Sequence, residues 1–230
     1  KVLGLAAYGD KKKAYDVMSK LIMYDKKLKN FKGGFENGYL PLFQNEYLKK
    51  IFNKYSKIDI AAAAQKRIED VIIEYIKDIK KKNFKLALAG GVFANVKLNQ
   101  KIFKLKKIDD IFIFPNMGDG GLSLGAAALS HIKHSKKKIE KLKSAYLGKD
   151  FKDNQIKDAI RFYKLEPLKL SSIDIYVAKK LHEGKVVGLF NGKMEFGPRA
   201  LGNRSILSRA TDPNINKSLN EKLKRTEFMP

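Results

Sequence analysis

Arg199, Arg204 and Arg209 recur every five residues in Gly188 to Ala210, GLFNGKMEFGPRALGNRSILSRA, a segment whose residue usage differs from the rest of the chain. Of 48 basic residues only six are Arg (Arg67, Arg161, Arg199, Arg204, Arg209 and Arg225), and three of them fall within the eleven positions 199–209. Elsewhere positive charge comes from Lys, a solvated point charge on a flexible stem. A planar fork of donors is the better device for holding a phosphate or carboxylate in one orientation. The arginines are interleaved with Asn191, Gly192, Gly197, Pro198, Gly202 and Asn203, residues that set turns and let backbone pass close to a ligand. An Arg-rich turn pairing with nearby acids would use the same residues, and composition alone leaves both readings open.

Two glycine loops offer a second chemistry. KLALAGGVFANVKLNQ reads as a buried strand, 85–89, then Gly90-Gly91, then a helix beginning near 92–95; strand 110–114 is followed by Pro115-Asn116-Met117-Gly118-Asp119-Gly120-Gly121 and a helix over 122–132. Glycine suits such loops because a side chain would hold a phosphate or ribose away from backbone amides and a helix N-terminus. Asp119 between glycines fits a turn or cap residue, and equally a carboxylate ligand to a hard divalent cation. His131 and His134, three apart near a helix end, could suggest a metal pair, although favourable placement of His by the helix dipole explains them more simply.

Two strand–glycine loop–helix units predict a right-handed parallel βαβ arrangement, with both loops at the carboxyl ends of neighbouring strands, where open α/β sheets bind ligands. Before it, the small apolar stretch 1–9 leads to Asp10, read as the cap of a helix reaching about Asp25. Asn37-Gly38 predicts a tight hairpin turn. Helices are expected over 44–55 and 58–81, the latter with an apolar stripe of Ile58, Ala61, Ala62, Ile68, Val71, Ile72, Tyr75, Ile76 and Ile79. After a Lys-rich connection over 135–152, helices are expected at 153–164 and 173–183, the second ending at Gly184. Strand 185–190 then feeds the arginine segment. A last helix over 212–226 would take Asp212 as cap and Pro213 at its first position.

At 230 residues and 44% hydrophobic the chain can bury a substantial core. No run approaches a membrane span and no signal peptide is seen, so a soluble protein is expected. Without Cys there are no disulfides, and the cytoplasm is the expected compartment. A net charge of +24 invites a nucleic-acid reading. The lysines are dispersed, however, and no basic groove interleaved with aromatic platforms is evident, which favours a solvated surface that attracts anionic substrates. The first residue, Lys1, and the stop at Pro230 directly after a charged helical segment read as the ends of an excised piece.

The ordered series GLAAYG, LALAGGVFANVKLNQ, PNMGDGGLSLGAA and GLFNGKMEFGPRALGNRSIL resembles the carbamoyltransferases of nodulation-factor and antibiotic tailoring. That resemblance implies an α/β enzyme of roughly twice this length. Residues 1–140 would be the later part of an actin-like ATPase domain, and residues 143–230 the beginning of a YrdC-like domain. It implies ATP and a divalent metal (iron, manganese or magnesium) as cofactors. Carbamoyl-adenylate would be made from ATP and carbamoyl phosphate, and the carbamoyl group passed to a hydroxyl acceptor such as a sugar or antibiotic. By the same resemblance Gly90, Gly91 and Asn95, with Gly118, Gly120 and Gly121, would contact nucleotide, and Asp119 would ligate the metal. Arg199, Asn203 and Arg204 would serve the carbamoyl-phosphate and ATP site, where guanidinium groups suit negative charge developing on phosphates. The partners would be these small molecules, with no membrane and no specific nucleic acid, and a homodimer is the protein partner to consider. The family's paired His ligands have no counterpart here, and Lys224 to Pro230 matches its charged RE-x-FRP segment only loosely. The 230-residue chain taken alone is therefore expected to have little transferase activity. A kinase or ATPase on the same fold, and a Lys-rich nucleic-acid-binding module, are the competing readings.

Overall fold

Alternation of short apolar runs with capped helices sets the first elements. Helix α1 (Val2–Leu5) is followed by α2 (Tyr15–Leu21), and Ile22-Met-Tyr-Asp25 forms strand β1, paired antiparallel with β2 (Asn30–Gly33) in the register Ile22 to Gly33. The helix expected from Asp10 to Asp25 is thus shorter at both ends. Asp10 instead closes a turn, its Oδ1 accepting the Lys12 N–H at 2.9 Å. Tyr24 shows why residues 22–25 leave the helix: its hydroxyl donates to Asp78 at 2.7 Å and its ring meets Tyr75 edge-on at 5.5 Å. β-Branched and aromatic residues that find a pairing strand favour extended backbone over helical propensity. The computed structural model describes residues 2–33, 46–80, 83–212 and 214–224, so the Asn37-Gly38 turn, Pro213 and residues 225–230 lie outside the described residues.

Helix α3 (Glu46–Phe52) precedes α4 (Lys57–Asp78), which starts at Ser56, whose hydroxyl accepts the Asp59 N–H. The apolar stripe of α4 is buried at Ala61, Ala62, Val71 and Ile76, but three polar residues are buried on it as well: Asp59, Gln65 and Glu69. Each is satisfied, as burial requires. Asp59 accepts the Asp10 N–H at 2.7 Å and pairs with Lys13, while Glu69 takes hydrogen bonds from Gln65 and Lys101. Ala14, Met18, Leu21, Leu48 and Ala63 pack into one core cluster with Val17, Ile22, Phe52 and Tyr55 around it.

Strand β3 (Phe84–Leu88) leads through a short 3-10 turn, Gly91–Ala94, to α5 (Val96–Phe103) and then to β4 (Ile108–Ile113), which pairs with β3. Leu98 and Ile102 on α5 are fully buried. Either would cost about 2–5 kcal/mol if cut to Ala. Beyond β4 come a 3-10 turn (Asp119–Gly121), α6 (Leu122–Ser135), α7 (Asp153–Phe162), α8 (Ile173–His182), the antiparallel pair β5 (Val187–Phe190) and β6 (Arg204–Leu207), and α9 (Ile215–Lys222). Gly184 ends α8 at φ +76, in the left-handed conformation a glycine stop uses.

The chain divides into two compact units: one of residues 1–88, 92–112 and 216–230, the other of residues 89–91 and 113–215. Among the described residues no helix is long and apolar enough to cross a membrane.

Candidate functional site

Three of the sequence segments singled out for chemistry meet in the second unit. The hub is the loop 115–121. On one side the Gly90 N–H donates to the Met117 carbonyl at 2.6 Å, so the two glycine loops touch. On the other, Gly197 lies so close to Pro115 that a Cβ there would stand 2.2 Å from the Pro115 carbonyl oxygen, and its φ of +119 is one L side chains rarely adopt. Phe114 and Phe196 pack edge-to-face beside this contact, with ring centroids 6.0 Å apart. Met117, on the hub loop itself, is buried.

The glycines of these loops divide into two kinds. Gly90, Gly91 and Gly118 have nothing within 4 Å of where a Cβ would stand, and Gly90 has φ +108. These leave backbone open to an incoming group. At Gly121 a Cβ would strike the Asn116 carbonyl at 2.2 Å, and at Gly120 the Asn116 side chain at 2.5 Å, so those two allow the loop to fold on itself. Helix α6 begins at Gly121 with no side-chain cap. The Gly121 and Leu122 N–H groups are taken by the Gly118 and Asp119 carbonyls, and the helix N-terminus carries the partial positive charge that suits an anion.

Asp119 is exposed on the turn between these glycines, and its carboxylate makes no hydrogen bond or ion pair among the described residues. It is suited to contribute one oxygen ligand to a hard cation. The described residues contain no group of three His, Asp or Glu that could hold a metal, so the remaining ligands of such an ion must come from other residues. His131 and His134 lie exposed on α6, and His131 pairs with Ser135 at 3.2 Å.

Asn95 caps α5, its Oδ1 accepting the Leu98 N–H at 3.1 Å, and it is tied to Gln65 in both directions, at 2.8 and 3.2 Å. Those bonds give it a local structural role in the first unit. Beside this network a small cleft of about 90 Å³ is lined by Gly9, Lys11, Lys66, Glu69, Lys97 and Lys101.

The arginine segment is a hairpin loop whose shape depends on one acid. Phe190 pairs with Arg204 at the base of β5 and β6, and the Asn191 N–H donates to the Asn203 carbonyl at 2.8 Å. Within the loop Glu195 is 4% exposed. Its Oε1 accepts the Leu201 N–H at 2.6 Å and the Asn203 N–H at 2.8 Å, and its Oε2 pairs with Arg204 Nε at 3.1 Å. Burial by itself pushes this carboxyl up; the backbone N–H donors and the Arg204 guanidinium outweigh it and hold the group at about 2. Arg204 also donates from Nη2 to the Gly197 carbonyl at 2.6 Å, and Asn203 Nδ2 donates to the Lys193 carbonyl at 2.7 Å. Tyr146 donates its hydroxyl to the Leu201 carbonyl at 3.0 Å, and the Phe196 N–H reaches the Ala145 carbonyl at 2.7 Å.

Of the three residues expected to act here, Arg204 and Asn203 thus brace the loop, while the Arg199 side chain is exposed between Pro198 and Ala200. Glu195 was missed by sequence reasoning. The available signal was that it is the only acid between Gly188 and Ala210.

These features define a mixed α/β protein in which glycine loops, a free carboxylate and an arginine loop share one compact unit, an arrangement suited to anionic, phosphate-bearing ligands. The chain belongs to the carbamoyltransferase family. Residues 1–128 match the carbamoyltransferase N-terminus model and residues 178–230 the carbamoyltransferase C-terminus model. An uncharacterised protein of Methanocaldococcus jannaschii is 34% identical over 98% of this chain and 38% of its own length. Nodulation protein NolNO of Sinorhizobium fredii is 30% identical over 99% of this chain and 34% of its own, and NolO of Bradyrhizobium diazoefficiens 31% identical over 74% and 32%. The chain spans less than half the length of these relatives.

Proposed function

We propose that this chain supplies part of an ATP-dependent O-carbamoyltransferase that makes carbamoyl-adenylate from ATP and carbamoyl phosphate and transfers the carbamoyl group to a substrate hydroxyl. The observation that carries the reading is the double role of loop 115–121, which touches Gly90 on one side and Gly197 on the other. Backbone suited to a nucleotide and an arginine loop suited to a second phosphorylated compound are thereby built around one hub. In this reading residues 1–140 are the later part of an actin-like domain and residues 143–230 open a YrdC-like one.

Gly90, Gly91 and Gly118 leave room for nucleotide to approach the main chain, and the N-terminus of α6 offers the positive end of its helix dipole to the phosphates. Asp119 is one ligand of a divalent cation, which when bound supplies positive charge against the phosphates. Arg199 binds the anion of carbamoyl phosphate, and Asn203 and Arg204 hold the loop that presents it. In the transfer step the acceptor oxygen bonds to the carbamoyl carbon, the hydroxyl proton leaves and AMP departs, giving the carbamate ester. The acceptor belongs to the class of sugar or antibiotic hydroxyls.

The test is the product formed from ATP by the complete protein. Carbamoyl-phosphate-dependent AMP formation is expected. ADP formed with an acceptor, independent of carbamoyl phosphate, would instead establish a kinase on this fold. A nucleic-acid module would show binding that falls steeply with salt and is indifferent to Asp119→Ala and Arg199→Ala.

A further inference from the structure

Three buried polar side chains converge on the turn that follows Gly90 and on its cap. Asn99 lies on the buried face of α5 with Leu98 and Ile102, where an apolar residue would fit the pattern. Its Nδ2 donates to the Phe93 carbonyl at 2.7 Å, inside the 3-10 turn Gly91–Ala94, while its Oδ1 is buried with no partner among the described residues. A buried acceptor left without a bond costs stability, so the hold of Asn99 on the turn calls for a reason.

Gln65 and Glu69 reach the end of the same turn from α4. Asn95 Nδ2 donates to Gln65 Oε1 at 2.8 Å, and Gln65 Nε2 donates back to Asn95 Oδ1 at 3.2 Å. Both amides are oriented from outside the pair. Glu69 can only accept, and it takes Gln65 Nε2 at 2.8 Å; the Leu98 N–H can only donate, and it takes Asn95 Oδ1 at 3.1 Å. Lys101 pairs with Glu69 from α5 and balances its buried charge. The chain Lys101, Glu69, Gln65, Asn95 thus ends on the residue directly after Ala94.

We infer that Asn99, Gln65 and Glu69 are positioning residues for the nucleotide: they hold the turn Gly91–Ala94 and its cap Asn95 in one conformation before the ligand arrives. The inference rests on the reading that this glycine loop receives ATP. Its physical basis is preorganisation, since backbone already fixed by folding loses no further freedom on binding. All three residues lie in the first unit, whereas the arginine loop belongs to the second, so the effect should be confined to ATP.

Asn99→Leu is the informative change in the complete protein. It removes the bond to Phe93 and the orphaned oxygen together, so the melting temperature should hardly move. KM for ATP should rise about fivefold, as expected for losing one ordinary hydrogen bond, with KM for carbamoyl phosphate unchanged and kcat altered less than about threefold. Gln65→Met breaks the amide pair and should raise the same KM by about tenfold. If Gln65→Met does not fold, Asn99→Leu decides the matter alone.

A folded Asn99→Leu protein with wild-type KM for ATP, or with equal rises in both KM values, would overturn the inference; a role in packing alone would give one or the other. Gly91→Ala distinguishes the two levels of the reading, because nothing lies within 4 Å of the added methyl and it obstructs only an incoming ligand. If Gly91→Ala raises KM for ATP while Asn99→Leu does not, only the positioning role fails. If neither moves it, the placement of the nucleotide on this loop fails with it.

Discussion

Gly197→Ala puts the central contact to a quantitative test. Two costs add at this position. The φ of +119 is unfavourable for any residue with a Cβ, at about 1–3 kcal/mol. The new methyl would also stand 2.2 Å from the Pro115 carbonyl oxygen, 2.8 Å from its carbon and 3.2 Å from the Asn116 nitrogen. These are backbone atoms and cannot rotate away, so loop 115–121 or the arginine loop must move, an overpacking cost of about 1–3 kcal/mol. The sum, about 2–6 kcal/mol, is large beside the typical cost of a point mutation. Gly188→Ala is the control: nothing lies within 4 Å of the added atom and the residue sits in β5, so the change should stay within about 0.5 kcal/mol. Urea denaturation of the complete protein reads both, as a shift in midpoint at constant slope. Equal stability of the two variants would refute the packing of the arginine loop on Pro115.

Other consequences follow from the same geometry. Asn95→Ala removes the cap of α5 and strands Gln65 in a buried position, and should lower stability by about 2–4 kcal/mol in the same denaturation assay. Asp119→Asn should leave stability within about 0.5 kcal/mol, since the carboxylate has no internal partner among the described residues, while weakening divalent-cation binding at least about tenfold by titration calorimetry. Glu195 gives a pH signature. Its folded value of about 2 lies below the ordinary 4.5, so its contribution is fully present above about pH 4.5 and is lost as pH falls towards 2. The stability gap between wild type and Glu195→Gln should accordingly be constant at neutral pH and narrow across that acid window.

The long periodic elements were legible because their signals are local. The stripe 58–81 corresponds to α4 over Lys57–Asp78, and the glycine after 173–183 does stop α8. What escaped depends on partners distant in sequence. Residues 22–25 carry a helical pattern, yet they extend because Asn30–Gly33 pairs with them and Asp78 receives the Tyr24 hydroxyl. Asp59, Gln65 and Glu69 are buried on α4 beside its apolar stripe, and their partners Asp10, Asn95 and Lys101 lie about thirty to fifty positions away.

For the site, residue type was informative and role was not. Glycine loops and an arginine cluster could be seen in the chain, whereas the division between open glycines and packing glycines needed the positions of Asn116 and Pro115. Arg199 and Arg204 are equivalent as letters. What the letters do not show is that the buried Glu195 makes Arg204 a brace.

Amide hydrogen exchange of the complete protein, with and without a non-hydrolysable ATP analogue and carbamoyl phosphate, tests the shared hub most directly. The nucleotide should slow exchange at 89–91 and 118–121, and adding carbamoyl phosphate should slow 197–203 as well. Protection by both ligands that leaves 115–121 and 197–203 untouched would contradict a site built around that loop.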